Sequence, residues 1–238
     1  MAQTDAAQLA FHERLWAWFE THRQQALIGA VALVIIGFGT SFYVWRAGER
    51  EAAASQELSN QAADRAAIEA TNLVPGYLRI ADRYSGTSAA GRAILLAAAN
   101  LFAEGKYSDA RAQFTRFLNA YANSSFSGQA MLGVAACHDA EGKTDEAIKA
   151  YENFTKSRPN DIGVRQAKFA LARLYESQNK LEQARNLYQE LAPQGANDSI
   201  AVEAGMRLEE LLAKNPNLIP RAPVATTNTP QPFVIQKQ

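Results

Sequence analysis

The chain has 238 residues, close to half of them hydrophobic, which suffices for one membrane anchor and one domain with a buried core. Its 24 Lys and Arg are matched by 24 Asp and Glu, so no net field gathers nucleic acid or anionic lipid at the surface. The single cysteine, Cys137, excludes an intrachain disulfide and a multi-thiolate metal site, and His12, His22 and His138 are too scattered for a metal cluster built on local spacing.

Residues 1–25 form a polar tail in which Phe11, Leu15 and Trp18 recur at i, i+4 and i+7, the spacing of a short helix lying along a membrane surface. Residues 26–45 read ALIGAVALVIIGFGTSFYVW, without a charge. At about 1.5 Å per residue, such a run crosses the roughly 30 Å hydrocarbon layer as a helix. Trp16, Trp18 and Phe19 precede it and Phe42, Tyr43 and Trp45 close it, which places aromatic rings at both interfaces. A cleaved signal peptide fits less well, because the run is long and Trp45 and Arg46 stand where small residues should precede a cleavage point. Arg14 and Arg23 before the run balance Arg46 and Arg50 after it, so basic residues do not set sidedness.

Residues 46–72 are rich in Ala and charge, with strong helix propensity and few large apolar side chains, and read as a helical stalk. From residue 73 to 214 the pattern is a repeat. Three segments align at a spacing of 37 residues: Ala93, Ala130 and Ala167 open a first helix, and Ala98, Ala135 and Ala172 occupy its middle. Ala110, Ala147 and Ala184 then lie in a second helix, followed four residues on by Phe114, Tyr151 and Tyr188. The small residues let the two helices approach, and the aromatics fill the gap between hairpins. Short polar turns EGKYSDA, EGKTDEA and QNKLEQA join the helices, with Gly105 and Gly142 suited to the left-handed conformation that ends a helix. Pro159 and Pro193 stop the second helices of the last two units. Tyr77, 37 residues before Phe114, marks a lone second-type helix capping the front. Ala204 and Leu208, 37 after Ala167 and Leu171, mark a terminal first-type helix whose Glu203, Glu209 and Glu210 wet its outer face. Residues 215–238, rich in Pro and Thr, read as a disordered tail.

This pattern resembles the tetratricopeptide repeat family over about residues 91–193, with Phe117, Phe154 and Leu191 where that family has a small residue. The fold class expected is therefore all-α: an N-terminal transmembrane helix, a helical stalk, and an α-solenoid of about three helix pairs with capping helices. The resemblance implies a protein-binding groove lined by Arg92, Leu95, Ala99 and Phe102 in the first unit. The second contributes Gln129, Leu132, Ala136 and Asp139, and the third Gln166, Phe169, Arg173 and Glu176. Apolar contact mixed with a few charges suits a helix or an extended apolar peptide.

No glycine-rich phosphate loop, nucleophile elbow or HExxH run is present, and Cys137, His138 and Asp139, being adjacent on a helix, point about 100° apart. Cys137 reads as a small buried hydrophobe and His138 as a packing residue. Neither enzymatic activity nor a cofactor, a metal or a nucleic-acid partner is expected. The layout of tail, span, stalk and repeats, including FETHRQQALIGAVALVIIGFGTSFYVWR, resembles the YfgM-type ancillary subunits of the bacterial Sec translocon. That resemblance implies an inner-membrane protein with its amino terminus in the cytoplasm, a periplasmic repeat domain, and the translocon, a periplasmic chaperone or exported clients as partners. The alternatives are a repeat scaffold for cell-envelope assembly or division, and a cytosol-facing regulatory tether.

Overall fold

The computed structural model describes residues 16, 18, 22–67, 73–192 and 198–218. Among these the regular structure is helical throughout, in two compact units, Met1–Ala97 and Ala98–Gln238. The expected interfacial helix rests on Phe11 and Leu15, which lie outside the described residues, as do Pro193 and the tail from 219 onward.

The first unit contains α1 (Arg23–Ala67), α2 (Val74–Arg83) and the start of α3 (Ser88–Ala103). Helix α1 runs 45 residues without a break. Its first half is long and apolar enough to cross a membrane, and its large side chains from Leu27 to Trp45 are exposed. Beyond Arg46 the same helix changes character. Glu51, Ala54, Ser55, Leu58 and Gln61 fall on one face at helical spacing, and Ala54 and Leu58 are buried. The Glu51 carboxylate accepts the N–H groups of Ser88 at 2.7 Å and Ala89 at 3.0 Å, so α1 caps the N-terminus of α3, where donors lack intrahelical partners. Arg83 pairs with Glu57 at 3.2 Å, and Gln61 lies against Gly76.

Helix α2 is thus not the lone cap that the sequence pattern predicts. Its partner is the distal part of α1, and Glu51 lies 37 residues before Ser88, so this part of the stalk occupies the register of a first-type repeat helix. The spacing conceals it because Gln61 stands where the later units have Ala98, Ala135 and Ala172. A β-carbon on Gly76 would come within 2.6 Å of the Gln61 side chain, so the glycine supplies the room that alanine supplies elsewhere.

The second unit holds the end of α3, then α4 (Tyr107–Ala120), α5 (Ser127–Ala140), α6 (Thr144–Ser157), α7 (Val164–Ser177), α8 (Leu181–Leu191) and α9 (Ser199–Lys214). From α4 onward each helix packs on the next, and α9 also touches α7. The repeat length is kept in the backbone. Helices α4, α6 and α8 begin at Tyr107, Thr144 and Leu181, while α3, α5, α7 and α9 end at Ala103, Ala140, Ser177 and Lys214, each 37 residues from the last.

The turns explain this regularity. Gly105 (φ 76°), Gly142 (φ 72°) and Asn179 (φ 57°) take the left-handed conformation at equivalent positions. In each turn the next residue's N–H reaches back to close the helix: Lys106 to Leu101, Lys143 to His138 and Lys180 to Tyr175, at 2.8–2.9 Å. Ala98, Ala135 and Ala172 and their partners Ala110, Ala147 and Ala184 are fully buried. Phe117, Phe154 and Leu191, which depart from the family pattern, are buried to within 2% and fill the core. At the start of the tail expected from residue 215, Pro216–Leu218 instead form a 3-10 turn, Leu218 is buried, and its carbonyl accepts Arg185 at 2.8 Å.

Candidate protein-binding site

The groove residues expected from the repeat register lie on α3, α5 and α7. Arg92, Ala99, Gln129, Gln166 and Arg173 are exposed, and Phe102, Leu132, Ala136, Asp139, Phe169 and Glu176 are half-buried. Leu95 is the exception: at 6% exposure it belongs to the core and offers no area to a partner.

Within the second unit, Gln129 and Leu132 of α5 meet Gln166 of α7 across an open cleft. Its rim is made by Phe126 on one inter-repeat turn and Asn160 to Gly163 on the next. The turns are held by buried polar contacts. The Ser127 hydroxyl, 1% exposed, lies 2.7–3.1 Å from the carbonyls of Tyr121, Ala122 and Ser124, and Asp161 accepts the Gly163 N–H at 2.9 Å. Gly163 is needed for closeness, since a β-carbon there would come 2.3 Å from Leu132 Cδ1. The result is a cleft with apolar surface from Phe126, Leu132 and Ile162 and amides from Gln129, Asn160 and Gln166. Ile162 is fully exposed and Phe126 is 43% exposed, so both offer apolar area to a partner. Carboxamides both donate and accept, so they can pair with an extended backbone.

The groove positions, placed by the sequence pattern on three units, have counterparts on the terminal helix as well. Glu203, Met206 and Glu210 on α9 stand 37 residues after Gln166, Phe169 and Arg173, and they line a shallow cleft with Val202 and Arg207. Val202 and Met206 are more than half exposed. Adding one repeat length to the third unit identifies them; the abundance of Glu in that helix makes it read as a solvated cap. Glu210 is paired with Lys214 at 2.6 Å, and this hydrogen bond holds its carboxyl below the usual range.

The Cys137–His138 pair carries no nucleophile. Cys137 is fully buried, and burial above all pushes its thiol up to about 11. His138 is held below its ordinary value by burial and by Arg111, and its Nδ1 is buried without a hydrogen-bond partner. Arg111 of α4 lies 3.6 Å from Glu141 at the end of α5, so the surroundings form a contact between successive hairpins. Among the described residues no group of three His, Cys, Asp or Glu is placed to hold a metal ion.

The sequence pattern of the tetratricopeptide repeat-like domain family matches residues 16–161. The chain belongs to that family. A second tetratricopeptide repeat pattern matches residues 140–208, so the two together extend from ahead of the apolar run into α9. No curated protein matches the sequence. Among solved structures, a Podosopora anserina protein of nearly identical TPR-like repeats is 13% identical and has a TM-score of 0.50, covering 72% of this chain and 88% of that one. The type III secretion translocator chaperone SycD of Yersinia enterocolitica is 22% identical with a TM-score of 0.46, covering 57% of this chain and 92% of that one. PcrH of Pseudomonas aeruginosa is 20% identical with a TM-score of 0.46, covering 52% and 93%. At 13% identity the likeness to the Podosopora anserina protein is one of fold alone. As a tetratricopeptide-type array the chain is a protein-interaction scaffold, built on a fold that is typically non-enzymatic.

Proposed function

We propose that this tetratricopeptide protein is a membrane-anchored scaffold that receives segments of exported proteins beside the Sec translocon and passes them to periplasmic chaperones. The observation that carries the membrane part is the continuity of α1, whose apolar, exposed first half and docked second half form one helix. The family match supports it, because the matched pattern begins at residue 16, ahead of the apolar run. The cleft between α5 and α7 supports the client class. Exposed Phe126 and Ile162 give apolar contact, and Gln129 and Gln166 give backbone pairing, which together suit an unfolded apolar segment. The Sec assignment rests on the resemblance of the layout to YfgM-type subunits.

Two measurements test this reading. Protease added outside intact spheroplasts should digest a tag placed after Gln238; protection until lysis would put the repeats in the cytosol and favour a regulatory tether. Purified protein in nanodiscs should bind translocon complex or an unfolded exported client, and failure with both would remove the hand-over role.

A further inference from the structure

The first unit carries an ordered series of contacts that fixes its height above the span. Along α1, Gln61 meets Gly76, Glu57 meets Arg83, and Glu51 meets Ser88 and Ala89. As the α1 residue number falls toward the apolar run, the partner number rises, so α2 descends toward the membrane end of α1. Helix α3 then climbs again, because Arg92 donates to Ser55 at 3.3 Å. The lowest point of the unit is therefore the turn Tyr84–Thr87 that joins α2 to α3.

Glu51, whose carboxylate caps the helix that follows this turn, stands only five residues past Arg46, the first charge beyond the apolar run. In a helix that separation is about 7.5 Å, which reaches the outer edge of the roughly 5–7.5 Å headgroup layer on each side of the hydrocarbon. The stalk thus contributes little more than one helical turn of spacing, where an unpaired helix over 46–72 would stand the repeats about 40 Å away. Chemistry at the turn agrees with this level. Tyr84 is a half-buried aromatic of the type that favours interfaces, Ser85 and Gly86 are exposed, and the four residues of the turn carry no charge.

We infer that the Tyr84–Thr87 turn rests in the lipid headgroup layer, so that the repeat array begins at the membrane surface. This rests on the membrane reading of α1. The contact is set by position and by exposed Ser85, so it does not require anionic lipid.

The test uses the full chain with Cys137→Ala, reconstituted in phosphatidylcholine vesicles and labelled with an environment-sensitive fluorophore at one of three exposed sites: Ser85→Cys, Pro75→Cys or Leu33→Cys. Pro75 lies at the far end of α2, about 15 Å higher along the helix. A nitroxide on the headgroup should remove most of the emission from Ser85→Cys and little from Pro75→Cys, and a nitroxide deep in the acyl chain should quench Leu33→Cys. If Leu33→Cys is quenched but Ser85→Cys is not, the unit stands off the membrane and the inference falls while the anchor remains. Equal quenching at Ser85→Cys and Pro75→Cys means that the unit lies flat on the surface, which also overturns it. An unquenched Leu33→Cys removes the anchor and the inference together. Inserting fourteen helix-forming residues after Gly48 should abolish quenching at Ser85→Cys; unchanged quenching would contradict the height argument.

Discussion

The ring of Phe114 on α4 lies so close to Gly133 on α5 that a β-carbon on the glycine would approach three ring atoms at 2.5–2.6 Å. The ring is buried and cannot swing into solvent. Two effects oppose each other in Gly133→Ala. Helix propensity favours alanine by about 1 kcal/mol, whereas overpacking a filled core costs about 1–3 kcal/mol. The packing term wins, and the variant should lose about 1 kcal/mol in urea unfolding. A stabilised variant would show that the two hairpins are loosely seated.

The left-handed turns give a second test. Asn179 has φ 57°, in the register of Gly105 and Gly142. Asn179→Gly should be neutral or slightly stabilising, while Asn179→Ala and Gly142→Ala should each cost about 1 kcal/mol, because a β-carbon is strained in this region. Unfolding midpoints of the three variants read this directly.

The phenol of Tyr175 on α7 donates to Glu152 on α6 at 2.6 Å, and this bond above all holds the Glu152 carboxyl below its ordinary value. A lowered carboxyl stabilises the fold above the unfolded pKa and loses that contribution as pH falls through the lowered native value. Tyr175→Phe should therefore cost roughly 1 kcal/mol at neutral pH, with screening of the 36%-exposed carboxylate taken into account, and less in acid. A cost that stays constant with pH would deny the coupling.

The alkaline side has the opposite sign. Burial above all pushes the phenols of Tyr151 and Tyr175 up to about 12. Their contribution is full below the unfolded value of about 10 and is lost as pH rises toward the native value. Thermal midpoints should fall above pH 10, and less steeply in Tyr151→Phe. An unchanged slope would place that phenol in solvent.

Much of this is readable in the sequence because helical hairpins demand it. Alanine at Ala98, Ala135 and Ala172 and aromatics at Phe114, Tyr151 and Tyr188 recur since each site has the same volume to fill. The first hairpin is not readable by that rule, because Gln61 and Gly76 exchange the usual sizes between the two helices. Contacts such as Glu51 with Ser88 join residues that share no local pattern, and only the folded backbone brings them together. On the binding face, Gln129, Leu132 and Gln166 are brought together, whereas Leu95 is buried; the register places a residue on a face without fixing how much of it the neighbours cover.

Ile162 separates binding from stability. It is fully exposed beside the cleft, so Ile162→Asp should leave the unfolding midpoint within about 0.5 kcal/mol of the parent and still reduce client binding. A large loss of stability would make it a packing residue.

The central claim is that the face carrying Gln129, Leu132 and Gln166 holds another polypeptide. A photoreactive residue at Gln166 in the membrane-embedded full chain, compared with one at exposed Asn153 on α6, tests it most directly. Adducts with the translocon or with an exported protein from Gln166, and none from Asn153, are the predicted result. Equal crosslinking from both positions, or none from Gln166, would contradict it.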